Sequence, residues 1–165
     1  APDPATRLAE LYEALLPVVF GYCRARLREA DAEDVTAEVF RAALDQLRRE
    51  PERELSRGWF LTTARNRIID LWRRDARWAP RLRDVAASNP TAVDDLATEG
   101  GGDTIEALDA LSPIHRAVLV LHYLDDVPVR TIATMLDRSP VAVDSLLARA
   151  RQSLSAQIDA EAGRP

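Results

Sequence analysis

Cysteine, lysine and long apolar runs are scarce or absent in this sequence of 165 residues. Cys23 is the only cysteine, so no internal disulfide can form, which is typical of a reducing compartment. No run of about 18 apolar residues occurs, which predicts that no segment inserts into a membrane. Residues Ala1 to Arg7 lack the basic and then apolar order of a secretory signal. We therefore expect a cytoplasmic protein.

Catalytic and metal-binding patterns are also missing from the sequence. Cys23, His115 and His122 are scattered along the chain and lack the spacing of metal ligands. Gly100 to Gly102 lies in an acidic stretch without the lysine that follows in a phosphate-binding loop. No grouping of serine, histidine and aspartate indicates nucleophilic catalysis. The sequence therefore predicts no metal site, no cofactor and no enzyme activity.

Positive charge is carried by arginine alone, and 22 arginines against 27 acidic residues give a net charge of -5. That balance argues against a protein that binds DNA tightly by charge alone. The two signs are segregated, however, because residues 57–77 hold six arginines against two aspartates. An acidic cluster precedes this basic segment and consists of Glu29, Asp31, Glu33, Asp34 and Glu38.

The basic segment, residues 57–78, has the periodicity of an amphipathic helix. Its apolar residues recur at spacings of three and four, at Leu61, Ala64, Ile68, Leu71 and Trp72. The opposite side carries Asn66, Arg67, Asp70, Arg73, Arg74 and Arg77. One side can pack into a core while the other contacts phosphates and unstacked bases. We expect Trp59 and Trp72 to be mainly structural, and Trp78 is the least constrained tryptophan.

The helical period covers most of the chain, and no strand-like alternation of useful length occurs, so the predicted fold class is all-α. Residues 79–103 break the pattern with prolines and three consecutive glycines, and they are predominantly acidic. The predicted organisation is two small helical domains, residues 1–78 and 104–165, joined by an acidic flexible linker at 79–103.

Three helices are expected in the first domain. The first spans about residues 6–28 and is interrupted by Pro17, and the second starts near an N-cap at Asp31. A loop at residues 50–56 follows, in which Ser56 caps the basic helix.

The second domain has the spacing of a helix-turn-helix over residues 128–151. Ser139 precedes Pro140, a serine–proline pair that starts a helix, and Asp137 stands in the turn, where aspartate tolerates left-handed geometry. The outward residues of the second helix are Val141, Asp144, Ser145, Ala148, Arg149, Arg151 and Gln152. From spacing alone, the alternative is a plain helical hairpin.

Two parts of the chain resemble conserved regions of bacterial sigma factors. Residues 31–40 (DAEDVTAEVF) and 59–74 (WFLTTARNRIIDLWRR) are similar to region 2. Residues 111–121 (LSPIHRAVLVL), 132–133 and 143–151 (VDSLLARAR) look like region 4. The resemblance covers residues 8–78 and 104–156, with no counterpart of region 3 between them, as in the extracytoplasmic-function (ECF) group.

The resemblance implies a role for each set of residues. Asp34, Glu38 and Phe40 match the segment that docks on the clamp helices of core RNA polymerase. The segment that opens and engages the −10 promoter element is matched by Arg65, Asn66, Arg67, Asp70, Arg73, Arg74 and Arg77. In the family, a flipped base is captured beside the loop at residues 50–56. The reader of the −35 element is matched by Arg138, Ser139, Asp144, Ser145, Ala148, Arg149, Arg151 and Gln152.

The sequence departs from the family's pattern in the predicted −35 reader. The family often has a basic residue where Asp144 and Leu146 stand, and an apolar residue where Arg138 stands. Asp144 could accept a hydrogen bond from a cytosine amino group or cap the polar side of its helix.

The resemblance predicts an ECF-type sigma factor that binds core RNA polymerase and promoter DNA and performs no chemistry itself. Family members are commonly held inactive by an anti-sigma factor, which is therefore a candidate partner. The alternative is a stand-alone helix-turn-helix transcriptional regulator that binds operators without polymerase. A protein-interaction module with degenerate DNA contacts is a third class, favoured by Asp144 and by the net charge of -5.

Overall fold

The computed structural model describes residues 2–78 and 106–163, except for the side chains of residues 76–78. The predicted linker, residues 79–103, lies outside these ranges. The described chain forms the α-helices given below, a further helical stretch at residues 106–109 and one π-helical segment, Val120–Leu124. The α-helices are α1 (Pro4–Arg24), α2 (Glu29–Arg49), α3 (Arg57–Trp78), α4 (Pro113–Leu119), α5 (Val129–Met135) and α6 (Pro140–Ala162). Since no strand occurs in these residues, the predicted all-α fold class is confirmed.

The chain divides into two compact units, Ala1–Asp70 and Leu71–Pro165. In the first unit, α1 packs against α2, and each helix buries the apolar side that its 3.6-residue period creates. The fully buried residues of these two helices include Val19, Cys23, Val39, Ala43 and Leu47. Burial raises the pKa of the Cys23 thiol, because the thiolate would lose its hydration there.

An aromatic cluster joins the three helices of the first unit. The Phe40 ring of α2 lies between Tyr12 of α1, at 4.8 Å between centroids, and Phe60 of α3, at 5.2 Å. Trp59 packs edge-on against Phe60 at 5.1 Å and is half-buried. Aromatic pairs at these distances contribute about 0.5–1.5 kcal/mol beyond the area that they bury. The cluster therefore determines which side of α3 faces the core.

Side chains fix the loop between α2 and α3 at both ends. The Ser56 hydroxyl accepts a hydrogen bond from the backbone N–H of Trp59 at 3.2 Å, which confirms the predicted cap of α3. On the other side, Arg7 of α1 donates to the backbone carbonyls of Arg53, at 2.9 Å, and Pro51. Leu55, between these contacts, is buried.

Two predicted helix boundaries are wrong. The first helix ends at Arg24 instead of residue 28, and it continues through the exposed Pro17. The N-cap of α2 is Arg28 and not Asp31, because the Arg28 carbonyl already accepts the first intrahelical bond, from the N–H of Ala32 at 2.8 Å. Asp31 instead lies in the first turn, where the helix dipole favours a carboxylate.

The second unit contains a buried ion pair and a π-helical segment. Arg116 of α4 is 3% exposed, and its guanidinium donates to the Asp109 carboxylate, which holds residues 106–109 against α4. In the segment Val120–Leu124 the backbone widens, and the N–H of Asp125 bonds to the Val120 carbonyl at 3.0 Å.

The predicted helix-turn-helix is confirmed by α5, α6 and the turn between them. Asp137 has a φ of 55°, and the N–H of Arg138 bonds back to the Ala133 carbonyl at 2.8 Å, which closes α5 with a left-handed residue. Ser139 then caps α6 by accepting a hydrogen bond from the N–H of Ala142 at 3.1 Å. The two helices contact each other, and the buried residues of the motif are Ile132, Ala133, Leu136, Val143, Leu147, Ala150 and Leu154.

None of the helices in the described residues is long and apolar enough to cross a membrane.

We predict that Phe60→Ala lowers the free energy of unfolding by about 3–5 kcal/mol, because it leaves a cavity beside Phe40 and Trp59. Urea denaturation followed by circular dichroism measures this change. Thr62→Ala, at an exposed position of the same helix, is the control and should change stability by less than about 0.5 kcal/mol. Equal losses in the two variants would contradict the packing described for α3.

We predict that Asp137→Val destabilises the second unit by about 1–2 kcal/mol, because a β-branched residue is strained at a positive φ. Asp137→Gly should match or exceed the stability of the natural protein, since glycine adopts this conformation freely. Thermal denaturation of the two variants provides the comparison. A valine variant as stable as the glycine variant would show that the turn is not left-handed.

Candidate nucleic-acid interface

The acidic surface of α2 comprises two predicted docking residues that differ in their surroundings. Asp34 is exposed, whereas Glu38 is half-exposed and forms an ion pair with Arg67 of α3 at 3.6 Å. The side chains of this pair are 42% and 46% exposed, respectively, so solvent screens the attraction and the pair adds little to stability. The Glu38–Arg67 pair matters for its position, because it connects the predicted docking residues on α2 with the predicted −10 surface on α3.

Phe40, the third predicted docking residue, lies in the core and is 5% exposed. Its ring fills the space between Tyr12 and Phe60. The structure therefore gives Phe40 a packing role beneath the acidic surface. Tyr12, which contacts the Phe40 ring, is 45% exposed.

A charged groove of about 410 Å³ lies between α2 and α3. Trp59 lines one wall, and the Glu38–Arg67 pair lies beside it. Residues from one side of α2 complete the lining: Arg41, Ala42, Asp45, Gln46 and Arg49. Sequence reasoning did not predict this groove. The available signal was the recurrence of charge at spacings of three and four from Glu38 to Arg49.

The outward face of α3 is the predicted −10 surface. Asn66, Arg67, Asp70 and Arg74 are exposed, while Ala64, Ile68 and Trp72 on the other side are buried. The burial of Trp72, at 3% exposed, confirms its predicted structural role. The predicted apolar stripe is rotated slightly, since Phe60 and Ile69 are buried and Leu61 and Leu71 are half-buried.

Two predicted −10 residues, Arg65 and Arg73, stand apart from that face. Arg65 is exposed but lies about two and a half turns before Arg74, which places the two arginines on opposite sides of α3. Arg73 is half-buried, and its Nε donates to the backbone carbonyl of Met135 within the second unit. Arg77 belongs to α3, but its side chain lies outside the described residues.

A second cavity, of about 380 Å³, lies beside the loop at residues 50–56. Arg7, Glu10 and Leu11 of α1 form one side, and Glu54, Leu55 and Ser56 of the loop form the other. The hydrogen bonds from Arg7 to the loop carbonyls hold the two sides together. The cavity occupies the position at which the family resemblance implies capture of a flipped base.

The helix-turn-helix presents a continuous outward face on α6. Val141 is 75% exposed, and Asp144, Ser145, Arg149 and Gln152 follow it along the exposed side. Ala148 is half-buried between them, so the methyl group leaves room for a close approach of another surface. Ser139 is exposed at the start of the helix, where its hydroxyl is used as the cap.

Two of the predicted −35 arginines are half-buried. One is Arg138, and the other is Arg151. Arg151 lies over the Tyr123 ring at 5.8 Å, a cation–π distance, and is half-buried. This contact gives Arg151 a packing role on the flank of α6.

His115 of α4 lies close enough to Arg149 for their charges to interact. Burial lowers the pKa of His115, and the neighbouring positive charge of Arg149 lowers it further. A neutral histidine therefore adds no positive charge to the α6 surface near neutral pH. Within the described residues, no group of three or more histidine, cysteine, aspartate or glutamate side chains could hold a metal ion.

Comparison with known families assigns both units. The family model for Sigma-70 region 2 matches residues 11–79, and the model for Sigma-70 region 4 matches residues 102–154. The first match contains α2 and α3 with their acidic and basic surfaces, and the second contains the helix-turn-helix. No curated protein sequence matches the chain significantly.

Two solved structures are similar to the chain at low identity. The sigma factor RpoE from Bartonella quintana, in complex with the anti-sigma factor NepR, is 18% identical, with a TM-score of 0.47. That match covers 92% of this chain and 96% of the other. A chain of the RsbN–BldN complex is 21% identical, with a TM-score of 0.36, and covers 92% of this chain and 91% of that one.

Since both TM-scores are below 0.5, the assignment rests on the two family models. Together these models match most of the chain, in the order region 2 and then region 4. The chain therefore belongs to the sigma-70 family and has the two-region arrangement of its ECF group.

Proposed function

We propose that this protein docks on core RNA polymerase through the acidic surface of α2 and engages the −10 promoter element through the outward face of α3. The observation that carries this proposal is the segregation of charge between α2 and α3. Asp34 and Glu38 lie on α2, while Arg67 and Arg74 lie on α3 beside exposed Asn66. Complementary charge orients a protein partner, and arginine neutralises DNA phosphates.

Of the predicted docking residues, we assign contact with polymerase to Asp34 and Glu38. Phe40 supports them from the core, since its ring packs beneath α2 against Phe60. The groove beside Glu38 extends the proposed docking surface with charges of both signs from Arg41, Asp45 and Arg49.

For the −10 element, we assign the contacts to Asn66, Arg67, Asp70 and Arg74. These side chains share one exposed face, and the amide and carboxylate can form hydrogen bonds with unstacked bases. Arg65 is left out because it lies on the other side of α3. The cavity beside the loop at residues 50–56 is the proposed receptor for a flipped base.

The second unit would read the −35 element with the exposed face of α6, in the manner of a recognition helix in the major groove. The protein itself would perform no chemistry and would act in the cytoplasm, where core polymerase is found. An anti-sigma factor that covers these surfaces stays a prediction of the family resemblance. With a net charge of -5, we expect tight promoter binding only together with polymerase.

We predict that Asp34→Asn combined with Glu38→Gln slows association with core polymerase several-fold at low salt, because the substitutions remove steering charges. The difference should shrink as salt rises. Stopped-flow fluorescence with labelled protein measures the association rate constant. Glu13→Gln, at an exposed position of α1, is the control, and an equal effect there would disprove docking through α2.

We predict that Arg74→Ala impairs open-complex formation while core binding stays intact. Removing one phosphate contact should also reduce the slope of log K against log salt for promoter binding by about one. Permanganate footprinting of the holoenzyme on promoter DNA detects the open complex. Arg65→Ala removes the same charge from the opposite side of α3 and should retain activity.

Two different outcomes of the Arg74→Ala experiment would contradict the role assigned to the outward face of α3. Loss of core binding in Arg74→Ala would show that α3 belongs to the polymerase interface. Equal impairment by Arg65→Ala would show that net charge matters and the outward face does not. Tight sequence-specific binding of the protein alone, in a gel shift without polymerase, would favour a stand-alone regulator.

A further inference from the structure

The exposed start of α6 carries an unusual set of residues for a helix that reads DNA. From Ser139 to Ala148 the sequence contains no arginine or lysine, and the first basic residue of the helix is Arg149. The outward residues in this stretch are Val141, Asp144 and Ser145. The commonest specific contact with DNA, a bidentate arginine or lysine on guanine, is therefore not available from these turns.

Asp144 is the one charged side chain on this face before Arg149, and the structure excludes a capping role for it. Ser139 already caps α6 through the N–H of Ala142. Asp144 lies five residues beyond that cap, whereas the influence of the helix dipole falls off within the first turn. Among the residues that the structure describes, its exposed carboxylate has no hydrogen-bond or ion-pair partner.

An unpaired carboxylate facing DNA has a definite chemical preference. It accepts hydrogen bonds only, so in the major groove it requires an amino group on the base edge. Cytosine offers its N4 amino group there, and aspartate is an established acceptor for it. Thymine O4 and guanine O6 and N7 are acceptors and would repel it, and adenine places its N7 acceptor beside the amino group.

We propose that Asp144 is a specificity-determining residue that accepts a hydrogen bond from a cytosine N4 amino group in the −35 element. The inference rests on the proposed function of α6. Val141 and Ala148, one turn before and after Asp144, are small and apolar, which lets the helix backbone approach the groove. The DNA phosphates repel the Asp144 carboxylate at any base pair, and only a hydrogen bond from a cytosine amino group offsets that repulsion. Asp144 therefore also disfavours binding to the wrong sequences.

The test uses holoenzyme reconstituted from the full chain and core polymerase. A promoter that this holoenzyme transcribes is varied one base pair at a time through the −35 element, and the affinity for each variant is measured. We expect natural protein to prefer C·G at one position by about tenfold, a single good base contact. Asp144→Ala should lose that preference while binding the unpreferred sequences more tightly. Asp144→Asn should move the preference toward A·T, since an amide bonds to adenine N6 and N7.

Asp159→Ala is the matched control, because it removes one exposed carboxylate from the same helix, about four turns further on. At physiological salt it should leave base preference unchanged, because the distance exceeds the Debye length. A base preference that survives in Asp144→Ala and Asp144→Asn would overturn the inference and leave the proposed function standing. Absence of any dependence on the −35 sequence in natural holoenzyme would overturn both.

Discussion

Because Phe60 packs against Phe40, the rotation of α3 about its own axis is fixed. The buried residues Ala64, Ile68 and Trp72 follow Phe60 at four-residue intervals, so the same constraint extends along the helix. Asn66, Arg67, Asp70 and Arg74 are thereby exposed together on the opposite side. The position of the proposed −10 surface is thus a consequence of core packing.

The same packing brings the acidic and basic surfaces of the first unit into contact. Glu38 and Arg67 meet at 3.6 Å beside the groove that Trp59 lines. An exposed ion pair of this kind contributes little to stability, so either side chain can leave it for another partner with a small loss of free energy. Under the proposed function, a polymerase surface that binds Glu38 would compete with Arg67, and docking and promoter contact would then be linked through one side chain on each helix.

In the second unit, the backbone geometry of the turn before α6 helps to determine which side chains of α6 are exposed. The left-handed Asp137 and the Ser139 cap fix where α6 begins, and the buried residues Val143, Leu147 and Ala150 fix its rotation. Val141 and Asp144 are consequently exposed, while Arg151 lies over Tyr123. Under the proposed function, the exposed Asp144 carboxylate would supply base discrimination at the start of a helix that has no basic residue there.

Local chemistry in the sequence determined the all-α class, the extent of α3, the cap at Ser56 and the helix-turn-helix, because helical period and capping act over a few residues. The start of α2 was mispredicted at Asp31, because the backbone of Arg28 already forms the N-cap of this helix. Only the tertiary structure decided that Phe40 is buried and that Glu38 pairs with Arg67. These outcomes depend on how each helix is rotated against its neighbours, and that rotation is set by side chains distant in the sequence, such as Tyr12, Phe40 and Phe60.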